Sequence, residues 1–529
     1  MAVDKVVYDS VPTNERNLES LVHTSPKGWG VRHVQILLIF FCLVMGLSMR
    51  SQLSVLMVAM INTTDHEHYS IANRSIPSNS TSIIGDNSEG YSKVQNISPW
   101  SVYRTYEWNK STQEIIMYSF FVGYTSMQMP MGWFAQKFGG KIPIMVALGV
   151  NGVLCICTPW IVLMGGWIST SVCRLLQGMT QAAFYPSMHT MLAKWTPLRE
   201  RARLTTYAYS GSPIGTIIAF QISGFLADNP AFGWPVSFWL FGSLSLIVCG
   251  LIGYFGAALP HEHPNISAEE LVYIMEDCDA DMVPKRRKTP WREMLKCPSI
   301  WGILITQSGS SAASLLIMAE IPLYMRNVLG VELKKNGIYS SLPYMAMSVM
   351  SLIFGNLADF VSNRNILKVV NIRRVGNTIG MAVSGLFLLA FSFTKNTLLA
   401  VCLLILAMAM HSGINVGFTV NQIDLAPNFA GSIMALGNMM GNLTGLLVPV
   451  VVSNIVADVK NPRQWQIVFI IFTAIQFISN TIFVIFAKAE VQPWNFYGDE
   501  ERDSEEKVLS LMEYTKDIKT DKNKQEQKF

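Results

Sequence analysis

Charge is what this 529-residue chain has least of: Asp, Glu, Lys and Arg make up 14% of it, against about 25% in an ordinary soluble domain. That scarcity excludes a solvated surface on most sides. The formal charge is only +4, and no basic block outside the loops is large enough to hold nucleic acid. No Gly-x-x-x-x-Gly-Lys-Ser/Thr loop occurs, which argues against ATP as the driving force and against a nucleotide-cleaving enzyme. Cysteine is sparse and unpaired in pattern. The eight (Cys42, Cys155, Cys157, Cys173, Cys249, Cys278, Cys297, Cys402) fall in apolar runs or in one charged central loop, so neither a disulfide framework nor a metal centre is expected. No cofactor is implied. Some thirty polar residues precede the first apolar run, which argues against a cleaved leader.

What is abundant is apolar sequence: 50% of residues are hydrophobic and the mean hydropathy is +0.31. A bilayer crossing needs about 20 mostly apolar residues, and the runs predict twelve. They fall at 34–61, 113–136, 142–165, 167–195, 204–227 and 236–259, then at 300–325, 337–358, 375–393, 398–422, 432–456 and 466–488. The fold class expected is an all-α membrane protein. Its parts are a tail over 1–33, a six-helix bundle over 34–259, a central loop over 260–298, a second six-helix bundle over 299–488 and a tail over 489–529. The lipid bilayer is therefore the first partner.

Basic residues gather in the loop with Lys194, Arg199, Arg201 and Arg203, in the central loop, and in the loop with Arg364, Lys368, Arg373 and Arg374. The loops between these are nearly free of Lys and Arg, so both termini are expected in the cytosol. The segment 62–112 holds five Asn-x-Ser/Thr sequons, at Asn62, Asn73, Asn79, Asn96 and Asn109, which places it on the opposite, outer side. The two signals agree. An internal repeat supports two equivalent halves. Gly132 is followed by Gln136 and Lys141, and Gly355 by Asp359 and Arg364 at the same spacings. Pro197 leads to Gly211 and Gly215, as Pro427 leads to Gly441 and Gly445.

The stretch from Cys173 to Trp195 carries Arg174, Gln177, Gln181, Tyr185 and His189 on an otherwise apolar run. At about 100° per residue, the four later residues lie within roughly 60° of Arg174, so one face is expected to line a wet cavity. Arg50 and Arg174 are intramembrane cations, each costing about 2.5–3.5 kcal/mol at a helix centre. Paired guanidinium forks suit a phosphate or carboxylate; a structural ion pair or a snorkelling position is the bland alternative. Gln177, Gln181 and Tyr185 would orient the anion. For a coupling cation the candidates are Glu320, a lone carboxylate in LLIMAEIPLYM, and the oxygen donors Asn415, Asn421 and Asp424. Glu320 is equally readable as a helix-end residue and Asp424 as a helix cap. His189 is the residue that titrates nearest neutral pH, though a satisfied structural histidine is the commoner case. Gly132, Lys141, Gly355, Asp359 and Arg364 read as gate motifs rather than substrate contacts.

With these motifs the chain resembles the major facilitator superfamily. More closely it resembles the anion:cation symporter branch with type I sodium/phosphate cotransporters, sialin and vesicular glutamate transporters. The resemblance is carried by Arg50 in MRSQLSVLMVAMIN, FFVGY at 120–124, RLLQG at 174–178, YPSMH at 185–189, KWTPLRERARL at 194–204, TPWR at 289–292, VNQIDLAP at 420–427 and QPW at 492–494. It implies secondary active symport of a small anion by alternating access, with Na+ the expected coupling ion and phosphate the expected cargo. A proton-coupled organic anion carrier is the alternative, and an anion channel or non-transporting receptor is the alternative of another class. Departures from the branch are Gln177 and Gln181, where carboxylates are common, Met117 where glutamate carriers have a histidine, and Ser310 near the place of their second cavity arginine. No strict acidic dileucine signal is seen in either tail, which favours the plasma membrane. Replacing Asn62, Asn73, Asn79, Asn96 and Asn109 together by Gln should abolish the mobility shift caused by a glycosidase; an undiminished shift would contradict the topology.

Overall fold

The computed structural model describes residues 28–61, 102–103, 105–229, 232–276, 289–321, 324–325, 328–329, 333–458 and 460–496. Each expected crossing has helix in place. The first bundle is built from α1 (Val31–Met60), α2 (Lys110–Phe138), α3 (Lys141–Gln181), α4 (Phe184–Trp195), α5 (Arg201–Tyr209), α6 (Gly211–Asp228) and α7 (Trp234–Phe255). Two short helices, α8 (Ala268–Glu276) and α9 (Trp291–Lys296), lie in the central loop. The second bundle holds α10 (Pro298–Ala319), α11 (Leu333–Asn363), α12 (Val369–Thr378), a π-helical turn at Ile379–Val383, α13 (Ser384–Phe393), α14 (Thr397–His411), α15 (Phe418–Leu425), α16 (Ala430–Ile455) and α17 (Pro462–Phe486). The sequons at Asn62, Asn73, Asn79 and Asn96 lie outside the described residues. Asn109 is exposed and caps α2, its side chain accepting from the Thr112 amide at 2.8 Å.

Two crossings run together in α3. At Gly166 the backbone takes φ +59°, ψ −144°, a left-handed conformation that costs glycine little, and the chain folds straight back. Within the first bundle the helices approach as closely as their backbones allow. A Cβ at Gly178 would strike the carbonyl of Phe120, and one at Gly211 or Gly215 the carbonyls of Phe40 or Val44. Each bundle keeps its own core. Leu43, Leu148, Trp195 and Phe241 centre the first; Leu316, Phe391, Trp465 and Phe469 centre the second.

The bundles meet on the face that the basic loops assign to the cytosol. Asp424 at the end of α15 is buried and accepts from Arg201 Nη1 at 3.0 Å and from Arg373 Nε at 2.7 Å. Arg201 belongs to the first bundle and Arg373 to the second, so one carboxylate ties the halves together. Asp359 accepts from the amides of Ala202 and Arg203 at 3.1 and 2.8 Å, capping the start of α5 from across the interface. Its repeat mate Gln136 accepts from the Ser432 hydroxyl near the start of α16 at 3.2 Å. Lys194 reaches Asn428 at 3.0 Å. Gly355 packs on Thr206, and Gly132 on Ala435. Two of the expected gate residues do not join this closure. Lys141 donates to the Gly253 carbonyl of its own bundle at 3.0 Å, and Arg364 is exposed beside the Phe360 ring.

A second network ties the central loop to the first bundle. Glu270 of α8 accepts from the amides of Val31 and Arg32 at 2.8 and 3.0 Å and from Arg32 Nη1 at 2.9 Å. Arg32 Nε donates to Glu200 at 2.9 Å, and Glu200 accepts also from Arg203 at 2.7 Å.

Two outcomes follow from this packing. Gly178→Ala should destabilise the first bundle by about 1–3 kcal/mol, the usual cost of overpacking, read as a lowered unfolding temperature in detergent. Asp424→Ala strands two buried guanidinium groups, a loss of about 3–5 kcal/mol, and should open the face that they close. A cysteine placed at Ser432 should then label faster with a membrane-impermeant thiol reagent from that side; equal labelling in the two backgrounds would show that Asp424 does not hold the gate.

Candidate functional site

Between the bundles lies a cavity of about 540 Å³. It runs from Tyr209, Phe418 and Thr419, just inside the closed face, to Glu114, Met318 and Pro449 at the far helix ends. The cavity is thus shut towards the clamp and built to be entered from the opposite side. Its two walls differ in chemistry. The first bundle offers Arg50, Met117, Tyr118, Phe121, Tyr124, Tyr185 and Tyr209; the second offers Gln307, Ser310, Ser311, Ser314, Asn415, Thr419 and Asn438.

Arg50 is the one cation in this lining. Its guanidinium sits 4.8 Å from the Phe121 ring centre, 5.2 Å from Phe120 and 5.3 Å from Tyr124, and no carboxylate among the described residues pairs with it. Aromatic faces hold a guanidinium by attraction to their π-cloud while leaving its N–H edges unspent. The sequence places this charge mid-helix in α1, where no water-facing loop can absorb it. The arrangement is a positioned donor fork facing a cavity, suited to an anionic oxygen group.

Arg174 is a correction to the expected pair of anion contacts. It is buried, lies off the cavity lining, donates to Gln177 Oε1 at 3.0 Å and to the Arg50 carbonyl at 3.4 Å, and sits 4.8 Å from the Phe120 ring centre. It therefore supports Arg50 rather than standing beside it. Gln177 is consumed by that bond, and Gln181 donates to Asn151 at 3.1 Å inside the bundle. The reason is a break in the helix. Residues 182 and 183 form a turn between α3 and α4, so the face counted at constant pitch does not continue. Beyond the break Tyr185 does line the cavity, 3.3 Å from the Ser212 hydroxyl. His189 is buried against Tyr209 at 2.5 Å and faces no solvent.

The proposed cation ligands do not converge either. Asn415 lines the cavity and donates to Ser351 at 3.0 Å, whereas Asn421 donates to the Lys488 carbonyl at 2.6 Å. Both Asp424 oxygens are taken by arginines. Glu320 ends α10, half-buried and off the lining. Among the described residues no cluster of three or more His, Cys, Asp or Glu is arranged to hold a metal ion.

Several lining groups were not singled out by sequence reasoning. Gln307 donates to Asn438 at 2.8 Å and accepts from Gln422 at 3.0 Å. His411 is buried behind Ser310 and Ser314, with Nε2 3.3 and 3.2 Å from their hydroxyls and Nδ1 3.0 Å from the Gly380 carbonyl. The available signal was the Gln307-x-x-Ser310-Ser311-x-x-Ser314 spacing in α10, which sets polar groups three and four residues apart on one helix face.

Residues 36–449 match the family model of the Major Facilitator Superfamily. The chain is 32% identical over 76% of its length to vesicular glutamate transporter 3 of Danio rerio, covering 68% of that protein. It is 29% identical over 89% of its length to sodium-dependent phosphate transport protein 3 of Mus musculus, covering 97% of that relative. Human sialin is 28% identical over 89% of this chain and is covered to 92%. A solved proton:xylose symporter shares the fold, with a TM-score of 0.60 at 15% identity over 87% of this chain and 98% of that one. Closed on one face, open to a central cavity on the other and built from two six-helix halves, the chain belongs to the major facilitator superfamily, in the branch of phosphate cotransporters, sialin and vesicular glutamate transporters.

Proposed function

We propose that this chain is a cation-coupled symporter that carries a small anion across the membrane by rocking its two bundles about the central cavity. One observation carries the reading: Arg50 faces the cavity with no carboxylate partner among the described residues, held by three aromatic rings. An intramembrane guanidinium without a fixed counter-charge is costly, and a transported anion supplies the missing charge on each cycle. Tyr185 and the amides and hydroxyls of the second bundle would orient the cargo.

Inorganic phosphate is the cargo favoured by the mouse relative's name, which also favours Na+. Sialin and the glutamate transporter favour a carboxylate instead. The dispersal of Asn415, Asn421, Asp424 and Glu320 gives sodium no assembled oxygen site, and so favours the proton-coupled reading. The plasma membrane, with both termini cytosolic, is the proposed setting. The closed gate and the guanidinium at the cavity wall speak for a carrier over a channel or a non-transporting receptor.

Uptake of radiolabelled phosphate, glutamate, sialic acid and urate into vesicles, each with and without a sodium gradient and a pH gradient, tests this. Saturable uptake of at least one anion is expected; a linear, voltage-driven conductance would sink the carrier reading. Arg50→Ala should cut that uptake by at least about tenfold, the loss of one charge-assisted contact worth about 1.5–3 kcal/mol, with surface expression near normal. Undiminished uptake would remove Arg50 from the site.

A further inference from the structure

The repeat that relates Pro197 to Pro427 also relates Gln181 to His411, each sixteen residues before its proline. Both end a helix, α3 and α14, and both precede a break and a short second helix, α4 and α15. In the first bundle this position is an amide bonded to Asn151, which takes up no proton near neutral pH. In the second it is an imidazole. Its Nδ1 faces the Gly380 carbonyl and therefore keeps its hydrogen, which leaves the Nε2 lone pair towards Ser310 and Ser314. Both serines line the cavity. Gly380 itself belongs to the π-helical turn Ile379–Val383, an irregularity found more often at functional positions than elsewhere.

We propose that His411 Nε2 is the site that holds the coupling proton, reached from the cavity through the hydroxyls of Ser310 and Ser314. This rests on the carrier reading above. With the ring neutral, a serine hydroxyl donates to Nε2 and turns its oxygen lone pairs to the cavity. Once a proton arrives on the Nε2 lone pair, the Nε2–H donates to a serine Oγ, and that hydroxyl's own hydrogen swings out to the cavity as a donor. Nδ1–H stays on Gly380 throughout. Protonation thereby turns an acceptor wall into a donor wall opposite Arg50 and adds a positive charge behind it. An anion is bound better by the protonated form, and by linkage the proton is bound better when the anion is present.

No competing charge touches the ring. Helix α10 carries no charged residue before its C-cap Glu320, which lies beyond Ser314 and off the cavity lining, and α16 carries none. The titratable groups on the surrounding elements lie elsewhere. Arg373 and Asp424 are paired with each other, Asp359 caps α5, Arg374 donates to the Ala487 carbonyl, and Arg463 opens α17 at the far end. Tyr344 of α11 and Cys402 of α14 lie on these elements as well, and among the described residues no bond joins the ring to any group besides Ser310, Ser314 and Gly380.

The test uses the full chain in vesicles with the same four anions. In the wild type, an inwardly directed proton gradient of one pH unit without sodium should concentrate a carried anion up to about tenfold, since 1.4 kcal/mol is tenfold in an equilibrium. His411→Gln should lose the accumulation, and the anion exchange it retains at equal pH on both sides should no longer vary with pH. Accumulation equal to wild type overturns the assignment. So does joint loss of exchange and accumulation in a monodisperse His411→Gln protein, which marks a structural role, and so does wild-type accumulation that follows sodium and ignores pH. Should His411→Gln fail to fold, the Ser310→Ala/Ser314→Ala double variant decides: its exchange rate must show a displaced pH profile, and an unmoved profile overturns the proposal. A wild type that exchanges none of the four anions at equal pH refutes the carrier reading itself, and the assignment falls with it.

Discussion

One buried carboxylate between two guanidinium groups sets the state of the molecule. Asp424 takes Arg201 from one bundle and Arg373 from the other, and three charges so deeply placed are stable only together. Separating the bundles on this side leaves Arg373 on Asp424 and strips the buried Arg201 of its partner in a medium that solvates it poorly. The closure is consequently steep in distance: it holds while the three are in contact and collapses once water enters. That all-or-none character suits a machine with two states better than a graded apolar seam does.

The cavity that this closure shapes is asymmetric by construction. Its first wall is aromatic and cationic, with Arg50 fixed by rings that do not compete for its N–H groups. Its second wall sets amides and hydroxyls, adaptable in direction and neutral in charge, among apolar residues such as Leu315, Ile414 and Leu446. An anion held between them is fixed in place by one wall and read by the other. Arg174, packed on the Phe120 ring and bound to the Arg50 carbonyl, stiffens the first wall from off the cavity lining.

Fold and family were legible because lipid forces them into the open. Apolar runs, basic loops and the paired Gly132 and Gly355 turns are long-range patterns that no single contact can disguise. The site was less legible. Arg174, Gln177 and Gln181 share a helical face with Tyr185 only if the helix is unbroken, and the turn at residues 182–183 resets the phase. Up to the break the polar groups satisfy one another or Asn151; past it they meet the cavity. Sequence alone has no means of telling a polar group bonded to a neighbouring helix from one that faces water. Asn421 and Asp424 illustrate the same limit, since their partners, the Lys488 carbonyl and Arg201, are distant in the chain.

The Glu270 carboxylate closes the last link. It caps the first turn of α1 and grips Arg32, which holds Glu200 at the threshold of the helix bearing Arg201. The start of the chain's first crossing, the central-loop helix and the gate arginine are therefore geared together. Moving Arg201 off Asp424 would strain the bonds that hold α8 and the base of α1. The segment that joins the two halves is thus bonded, through α8, to the same charge network that holds the gate.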